Sequence, residues 1–234
     1  MITAIIIAGG QGSRMRMEIP KQFLLVYDKP VIIYTLESFQ KHPEIDAIEV
    51  VCLAGWEDTL RGYAAQYGIT KLTKITGGGS TGQESIRNGV FALREDLKED
   101  DIAIIHDGIR PLVEPSVLSD VIRVCRQYGN GVTSTPYNDQ IFRKKDEIST
   151  VEYIPRETLR KVTTPQAYRY GTLLRAYERA FAEGIGIYGS SYTNTMMVDL
   201  GETLYFATGS EKNMKLTTQE DLELFKAYLR MGRE

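Results

Sequence analysis

The chain opens on a short apolar run at residues 2–7 that empties into Ala8-Gly9-Gly10-Gln11-Gly12-Ser13-Arg14-Met15 and then Pro20-Lys21-Gln22-Phe23. Ile and Ala running into Ala-Gly-Gly predict a buried parallel strand that delivers its carboxyl end into a glycine turn. Glycines let the main chain approach a ligand closely and aim N–H groups at phosphate oxygens. Arg14 within the loop and Lys21 just beyond it add full charges to those dipoles. The segment reads as a cradle for a polyphosphate.

Strand-like and helix-like stretches alternate behind it. Strands are expected over 47–53, 71–76, 101–106 and 131–135, and helices over 31–39, 57–67, 83–97 and 115–128. Pro115 suits the first turn of its helix. This alternation predicts an α/β fold, a mostly parallel sheet with helices on both faces. Ligands gather where such strands deliver their carboxyl ends. The opening loop, the glycine run Gly77-Gly78-Gly79 and the segment His106-Asp107-Gly108-Ile109-Arg110-Pro111 are therefore expected at one sheet edge. The rhythm breaks at 136–155, where β-prone pieces at 140–143 and 149–153 flank the charged turn 143–147, so a projecting β-hairpin is expected. A helix follows at 170–183, a strand at 203–208 and a final helix at 217–229, with Thr218 as its N-cap and Asp221 at N3. A single domain over 1–234, with the hairpin as an arm, accounts for the 234 residues.

Composition narrows the function classes. A formal net charge of −3 offers no broad basic field, so nucleic acid is not an expected partner. No apolar stretch approaches the ~20 residues that span a bilayer, and no basic leader precedes the first strand, so a cytoplasmic protein is expected. Cys52 and Cys125 sit in apolar contexts and read as buried, reduced thiols. The absence of a Cys/His cluster argues against structural zinc.

The glycine loop lacks the Gly-Lys-Ser/Thr of ATPase phosphate loops. It also lacks G-x-G-x-x-G, because Met15 stands at the third glycine position, and the second strand ends Val51-Cys52-Leu53 without an acidic ribose ligand. Arg14 and Lys21 suit a triphosphate whose charge grows during transfer. Asp107, at the end of a buried strand, is costly unless it meets a cation. Mg²⁺ accompanying nucleotide phosphates is one such cation, and bonds from Asp107 to its own loop amides are the alternative. His106 is assigned to packing or orientation. Arg156, the run Thr164-Pro165-Gln166 and the run Asn213-Met214-Lys215-Leu216-Thr217 are individually uninformative.

In their order and spacing, AGGQGSRM, PKQF, the glycine run with Ser85, HDGIRP, the arm, Pro155-Arg156, TTPQ and NMKLT resemble the cytidylyltransferases that make CDP-methylerythritol and CDP-ribitol. The likeness spans essentially the whole chain. It implies a Rossmann-like fold whose β-arm interlocks a homodimer, CTP and a polyol phosphate as substrates, and Mg²⁺ as cofactor. By resemblance, Arg14, Lys21 and Lys215 are catalytic. Ala8, Gly9, Gly10, Gly12, Gly78, Gly79, Ser85 and Gly108 would hold the nucleotide, and Asp107 the metal. Arg110, Gln140, Arg156, Thr164, Tyr192 and Thr193 would face the polyol phosphate, with Arg110 reaching the substrate of the neighbouring subunit.

Three departures stand out. Gly82 occupies the place of a usual Arg, for which Arg87 is the candidate substitute. Asp139-Gln140 replaces Asp-Thr in the arm, and Ser191-Tyr192-Thr193-Asn194 replaces a Thr/Ser-Asp pattern. The last two lie on the acceptor side, so an alditol phosphate other than methylerythritol or ribitol phosphate is expected, serving a wall or capsule polymer. The alternatives are the methylerythritol phosphate enzyme of isoprenoid synthesis, a nucleotide-binding protein that has lost turnover, and a thymidylyl- or guanylyltransferase.

Overall fold

The computed structural model describes residues 1–10, 19–189 and 192–231. Seven strands form one sheet in the order β11-β7-β10-β6-β1-β4-β5. These are β1 (Ile2–Ala8), β4 (Ala47–Cys52), β5 (Leu72–Gly77), β6 (Ile102–Asp107), β7 (Asn130–Pro136), β10 (Arg160–Arg169) and β11 (Phe206–Thr208). β1 pairs in parallel with β4 and β6, β4 with β5, and β7 with β11, while β10 runs antiparallel to both β6 and β7. The continuous apolar runs of β1, β4 and β6 match strands covered on both faces. The edge strand β5 buries no residue fully.

Alternation along the strands divides the core between the two faces. Ala4, Ile6, Ile48, Val50 and Ile104 meet α1 (Val31–Lys41), α2 (Glu57–Gln66) and α4 (Pro115–Tyr128) on one side. Ile5, Val51, Ala103 and Ile105 meet α3 (Gly82–Ala92), α5 (Tyr170–Glu183) and α6 (Thr193–Asp199) on the other. A third cluster packs the hairpin of β2 (Leu25–Val26) and β3 (Lys29–Pro30) under α7 (Gln219–Met231), through Val26, Leu222 and Phe225. Thr218 and Asp221 form the expected cap, since the Thr218 hydroxyl accepts the Asp221 N–H at 3.2 Å and the Asp221 carboxylate accepts the Thr218 N–H at 2.8 Å. Cys52 and Cys125 are free and buried.

Two sequence expectations change. β10 was not foreseen, because Pro165 lies within it and proline has no ladder N–H. The register shifts between Val162 and Gln166, which takes the proline out of the pairing. The helix expected over 83–97 stops at Ala92, whose carbonyl accepts a bond from Lys74 Nζ at 2.6 Å, a cation closing a helix C-terminus. The hairpin at the arm is present as β8 (Ile141–Lys144) and β9 (Thr150–Ile154), paired only with each other.

Candidate active site

The carboxyl ends of β1, β4, β5 and β6 reach one edge of the sheet. β10, running the other way, brings its beginning there. A cavity of about 750 Å³ opens at this edge, lined among others by Gly9, Gly10, Gly78, Gly79, Ser85, Asp107, Arg110, Thr164, Tyr192, Thr193 and Lys215.

One wall is made of turns. A methyl group on Gly9 would lie 3.3 Å from Gly78 Cα and 3.3 Å from Ser85 Oγ, so the glycine loops after β1 and β5 pack back to back. Ser85 Oγ accepts the Gly79 N–H at 3.0 Å and donates to the Thr81 carbonyl at 2.9 Å. Thr81 also caps α3 by accepting the Glu84 N–H at 3.1 Å. Gln22 is buried in the short turn Lys21–Phe23, and its amide donates to the carbonyls of Ala8 at 2.7 Å and Gly10 at 3.1 Å. That clamp holds the exit from β1, and nothing in the pattern of PKQF singles out its glutamine for the role.

At the centre, Asp107 stands between two cations. Its Oδ1 accepts from Lys215 Nζ at 3.0 Å and its Oδ2 from Arg110 Nε at 2.8 Å. Burial by itself would raise the Asp107 carboxyl, but the charges of Lys215 and Arg110 outweigh it and bring the pKa down to about 2. Thr164 Oγ1 accepts the Asp107 N–H at 3.2 Å, Asn213 Nδ2 donates to the Thr164 carbonyl at 2.6 Å, and Arg110 Nη1 donates to the Asn213 carbonyl at 2.7 Å. His106 is fully buried, with Nε2 at 3.1 Å from the Arg110 carbonyl and its ring 5.1 Å from Phe39. Burial lowers its pKa to about 4, so the imidazole is neutral near pH 7 and serves orientation. Among the described residues Asp107 is the one carboxylate in the wall. A carboxylate offers about four acceptor positions, and the two ion pairs leave part of that capacity open. One carboxylate, ionised near neutral pH and completed by substrate phosphates, is a donor set that suits Mg²⁺.

The opposite wall is built from β10 and the start of α6. Tyr192 is 56% exposed and its ring centroid lies 6.0 Å from Lys215 Nζ, at the limit of cation–π reach. Thr193 is buried, with its hydroxyl 2.7 Å from Tyr177 Oη.

The site residues named from the sequence therefore separate. Gly9, Gly10, Gly78, Gly79, Ser85, Asp107, Arg110, Thr164, Tyr192, Thr193 and Lys215 come together in the wall. Gly108 backs the wall instead of lining it: its N–H donates to the Ile7 carbonyl at 2.9 Å and its carbonyl accepts from Thr35 at 3.0 Å. Ala8 is likewise buried behind the wall, its carbonyl engaged by Gln22. Arg110 turns toward Asp107 and Asn213 of its own chain. Arg87, the candidate substitute for the arginine missing at Gly82, is not among the wall residues, and its guanidinium lies over the Phe181 ring, 4.4 Å from the centroid. Gln140 and Arg156 border a separate cavity of about 450 Å³ on the arm. Lys21 opens the turn that carries Gln22. Gly12 and Arg14 lie outside the described residues.

The sequence comparisons decide what these walls belong to. The family model described as IspD, 2-C-methyl-D-erythritol 4-phosphate cytidylyltransferase, matches residues 2–231. The chain belongs to this family. The cytidylyltransferase is 61% identical over 230 residues to a ribitol-5-phosphate cytidylyltransferase of Lacticaseibacillus paracasei, covering 98% of both chains. It is 33% identical to a 2-C-methyl-D-erythritol 4-phosphate cytidylyltransferase of Alkaliphilus metalliredigens, over 100% of this chain and 95% of that one. In fold it is similar to the 4-diphosphocytidyl-2C-methyl-D-erythritol synthase of Anaerococcus prevotii, with a TM-score of 0.81 at 24% identity over 98% of each chain. Family membership makes the protein a nucleotidyltransferase. Among the described residues no helix is long and apolar enough to cross a membrane.

Proposed function

We propose that this cytidylyltransferase joins CTP to ribitol 5-phosphate, releasing pyrophosphate and forming CDP-ribitol for a wall or capsule polymer. The observation that carries the reaction is the Asp107 carboxylate clamped between Lys215 and Arg110 where a glycine wall meets a polar side-chain wall. The acceptor is assigned from the Lacticaseibacillus relative, whose name specifies ribitol 5-phosphate. The departures at Gln140 and Tyr192 suggested a further alditol, and none of the named relatives supports that choice.

The acceptor phosphate is largely dianionic near neutral pH, since its second pKa is about 6. One of its oxygens attacks the α-phosphorus of CTP, the bond to the bridging oxygen of the β-phosphate breaks, and pyrophosphate leaves with that electron pair. No proton has to be removed from the nucleophile, so no general base is needed. The barrier is repulsion between anions and charge growth at phosphorus, and positioning with cations lowers it. Main-chain groups of Gly9, Gly10, Gly78 and Gly79 hold the nucleotide, Lys215 meets the α-phosphate, and Lys21 and Arg14 meet the triphosphate. Asp107, together with the substrate phosphates, would hold Mg²⁺, which would supply positive charge against the triphosphate. Thr164 and the start of α6 face the acceptor.

The arm supports a homodimer, because Phe142, Val151 and Tyr153 are more than half exposed in the single chain. Gln140 and Arg156 would reach an acceptor site from there, and the enzyme would work in the cytoplasm. Pyrophosphate release from purified protein with CTP, Mg²⁺ and a panel of alditol phosphates tests the reading. Ribitol 5-phosphate should give the highest kcat/KM. Turnover of methylerythritol phosphate alone would overturn the acceptor, and CTP binding with no pyrophosphate from any acceptor would overturn the reaction.

A further inference from the structure

Between α3 and α6, away from the cations, a chain of buried hydrogen bonds links the first turns of the two helices. Gln83 Nε2 donates to the Gly186 carbonyl at 2.8 Å, which turns the amide oxygen toward α5. Tyr177 Oη donates to that oxygen at 3.0 Å. The hydroxyls of Tyr177 and Thr193 are 2.7 Å apart. Tyr177 has one hydrogen and spends it on Gln83, so Thr193 must be the donor in the last link. The direction of the whole chain is therefore set at the Gly186 carbonyl, and all three side chains are at most 3% exposed. Burial pushes the Tyr177 phenol well above its ordinary range, so the hydroxyl keeps its hydrogen throughout the working pH range.

This arrangement removes Thr193 as a donor to an anionic acceptor. Its one hydrogen points inward, and a dianionic phosphate has no hydrogen to offer its lone pairs. We infer that Tyr177 is a positioning residue, which through Thr193 and Gln83 fixes the acceptor wall at the start of α6 relative to the nucleotide wall at the start of α3. α3 has independent anchors in its Thr81 cap and in the Ser85 bond to Gly79. α6 is a seven-residue helix whose first residue is held to the core through Tyr177. Loss of the chain should therefore disturb the acceptor more than the nucleotide. The inference rests on the proposed two-substrate reaction, but not on the identity of the acceptor.

Steady-state kinetics of Tyr177→Phe, Thr193→Val, Thr193→Ser and the Tyr177→Phe/Thr193→Val double variant test it, using whichever alditol phosphate the wild-type enzyme turns over. CTP affinity is measured separately by calorimetry. Failure of wild-type turnover would speak against the function, whereas the pattern among variants speaks only to the positioning role. Tyr177→Phe and Thr193→Val should each raise the acceptor KM about tenfold, the scale of one buried hydrogen bond, with CTP affinity within about twofold. Thr193→Ser should stay near wild type, and the double variant should match the single ones because both cut one chain. A rise in acceptor KM for Thr193→Val with none for Tyr177→Phe would overturn the inference and make Thr193 a direct ligand. Additive effects, or equal loss of CTP and acceptor affinity, would also overturn it. Should Tyr177→Phe not fold, Gln83→Met cuts the chain at its α3 end and leaves the Tyr177–Thr193 bond in place, so a smaller rise in acceptor KM at unchanged CTP affinity is expected, and no rise would overturn the inference.

Discussion

On the nucleotide side of the cavity, Gly9 and Gly78 approach so closely that a methyl group on either would lie 3.3 Å from the other's Cα. On the side proposed for the acceptor, Tyr192 stands 56% exposed as the N-cap of a seven-residue helix, and the wall is made of side chains from β10 and the start of α6. The first wall is main chain at the ends of parallel strands, where steric fit leaves little choice of residue. The second is hung on a reversed strand and a short helix and depends on hydrogen bonds between particular side chains. A nucleotide common to a family suits the first construction, and an acceptor that differs between members suits the second. Buried polar groups differ too. Every side chain in the chain through Tyr177 has a hydrogen-bond partner, whereas Glu49 beneath α3 accepts from Thr76 at 2.5 Å through one oxygen and has no partner among the described residues for the other.

Removing the lysines assigned to the phosphates should have the largest effect. Lys215→Ala and Lys21→Ala are each expected to lower kcat by about 10²–10³, the scale for removing one transition-state donor. Pre-steady-state pyrophosphate release checks this, and a change in KM alone would reduce either lysine to a ground-state contact. Next, Gly79→Ala should raise the KM for CTP by about tenfold or more, because its Cβ would collide with the Glu84 side chain and lie 3.0 Å from the Ser85 nitrogen. Gly82→Ala, with nothing within 4 Å of its Cβ, is the matched control and should stay near wild type. If both alanines behave alike, steric fit does not govern the nucleotide wall. A smaller effect is expected at the arm: Gln140→Thr should alter the acceptor KM several-fold and leave that for CTP unchanged, and equal changes in both would detach the arm from the acceptor.

The smallest effect on activity is expected from Glu49→Gln, which should instead change how stability depends on pH. Burial raises the Glu49 carboxyl from 4.5 to about 7, so the fold favours its protonated form. Its contribution therefore falls as pH rises from about 4.5 to about 7. His106, lowered from 6.5 to about 4, works the other way, and its contribution grows as pH climbs from about 4 to 6.5. Thermal unfolding at stepwise pH should show Glu49→Gln gaining on the wild type between pH 5 and 7.5. A constant difference across that range would mean that Glu49 does not titrate there.

Much of this architecture is legible in the sequence. The runs at 2–7 and 101–106 show as strands because they are apolar throughout, and α4 and α5 because apolar residues recur with a helical period ahead of Gly129 and Gly184. β10 was hidden by Pro165, which disqualifies a central strand until a register shift frees it from the ladder. Gly108, assigned to the nucleotide by resemblance, stands behind the wall with its N–H on Ile7 and its carbonyl on Thr35, a placement that no local pattern shows. Arg87 looked like a substitute cation by proximity in sequence, but two positions along a helix from Ser85 point to another face.

The chain's own order of residues determined that strands would end in glycine turns at one edge, and that lysine, arginine and aspartate would stand near them. Those outcomes follow from local periodicity and from residue chemistry. Tertiary structure alone decided that Lys215 meets Asp107, 108 residues away, and that Tyr177 takes the hydroxyl of Thr193 from any acceptor phosphate. Both depend on which elements the crossovers bring side by side, and on which face of each the core has already claimed. No local pattern carries that information.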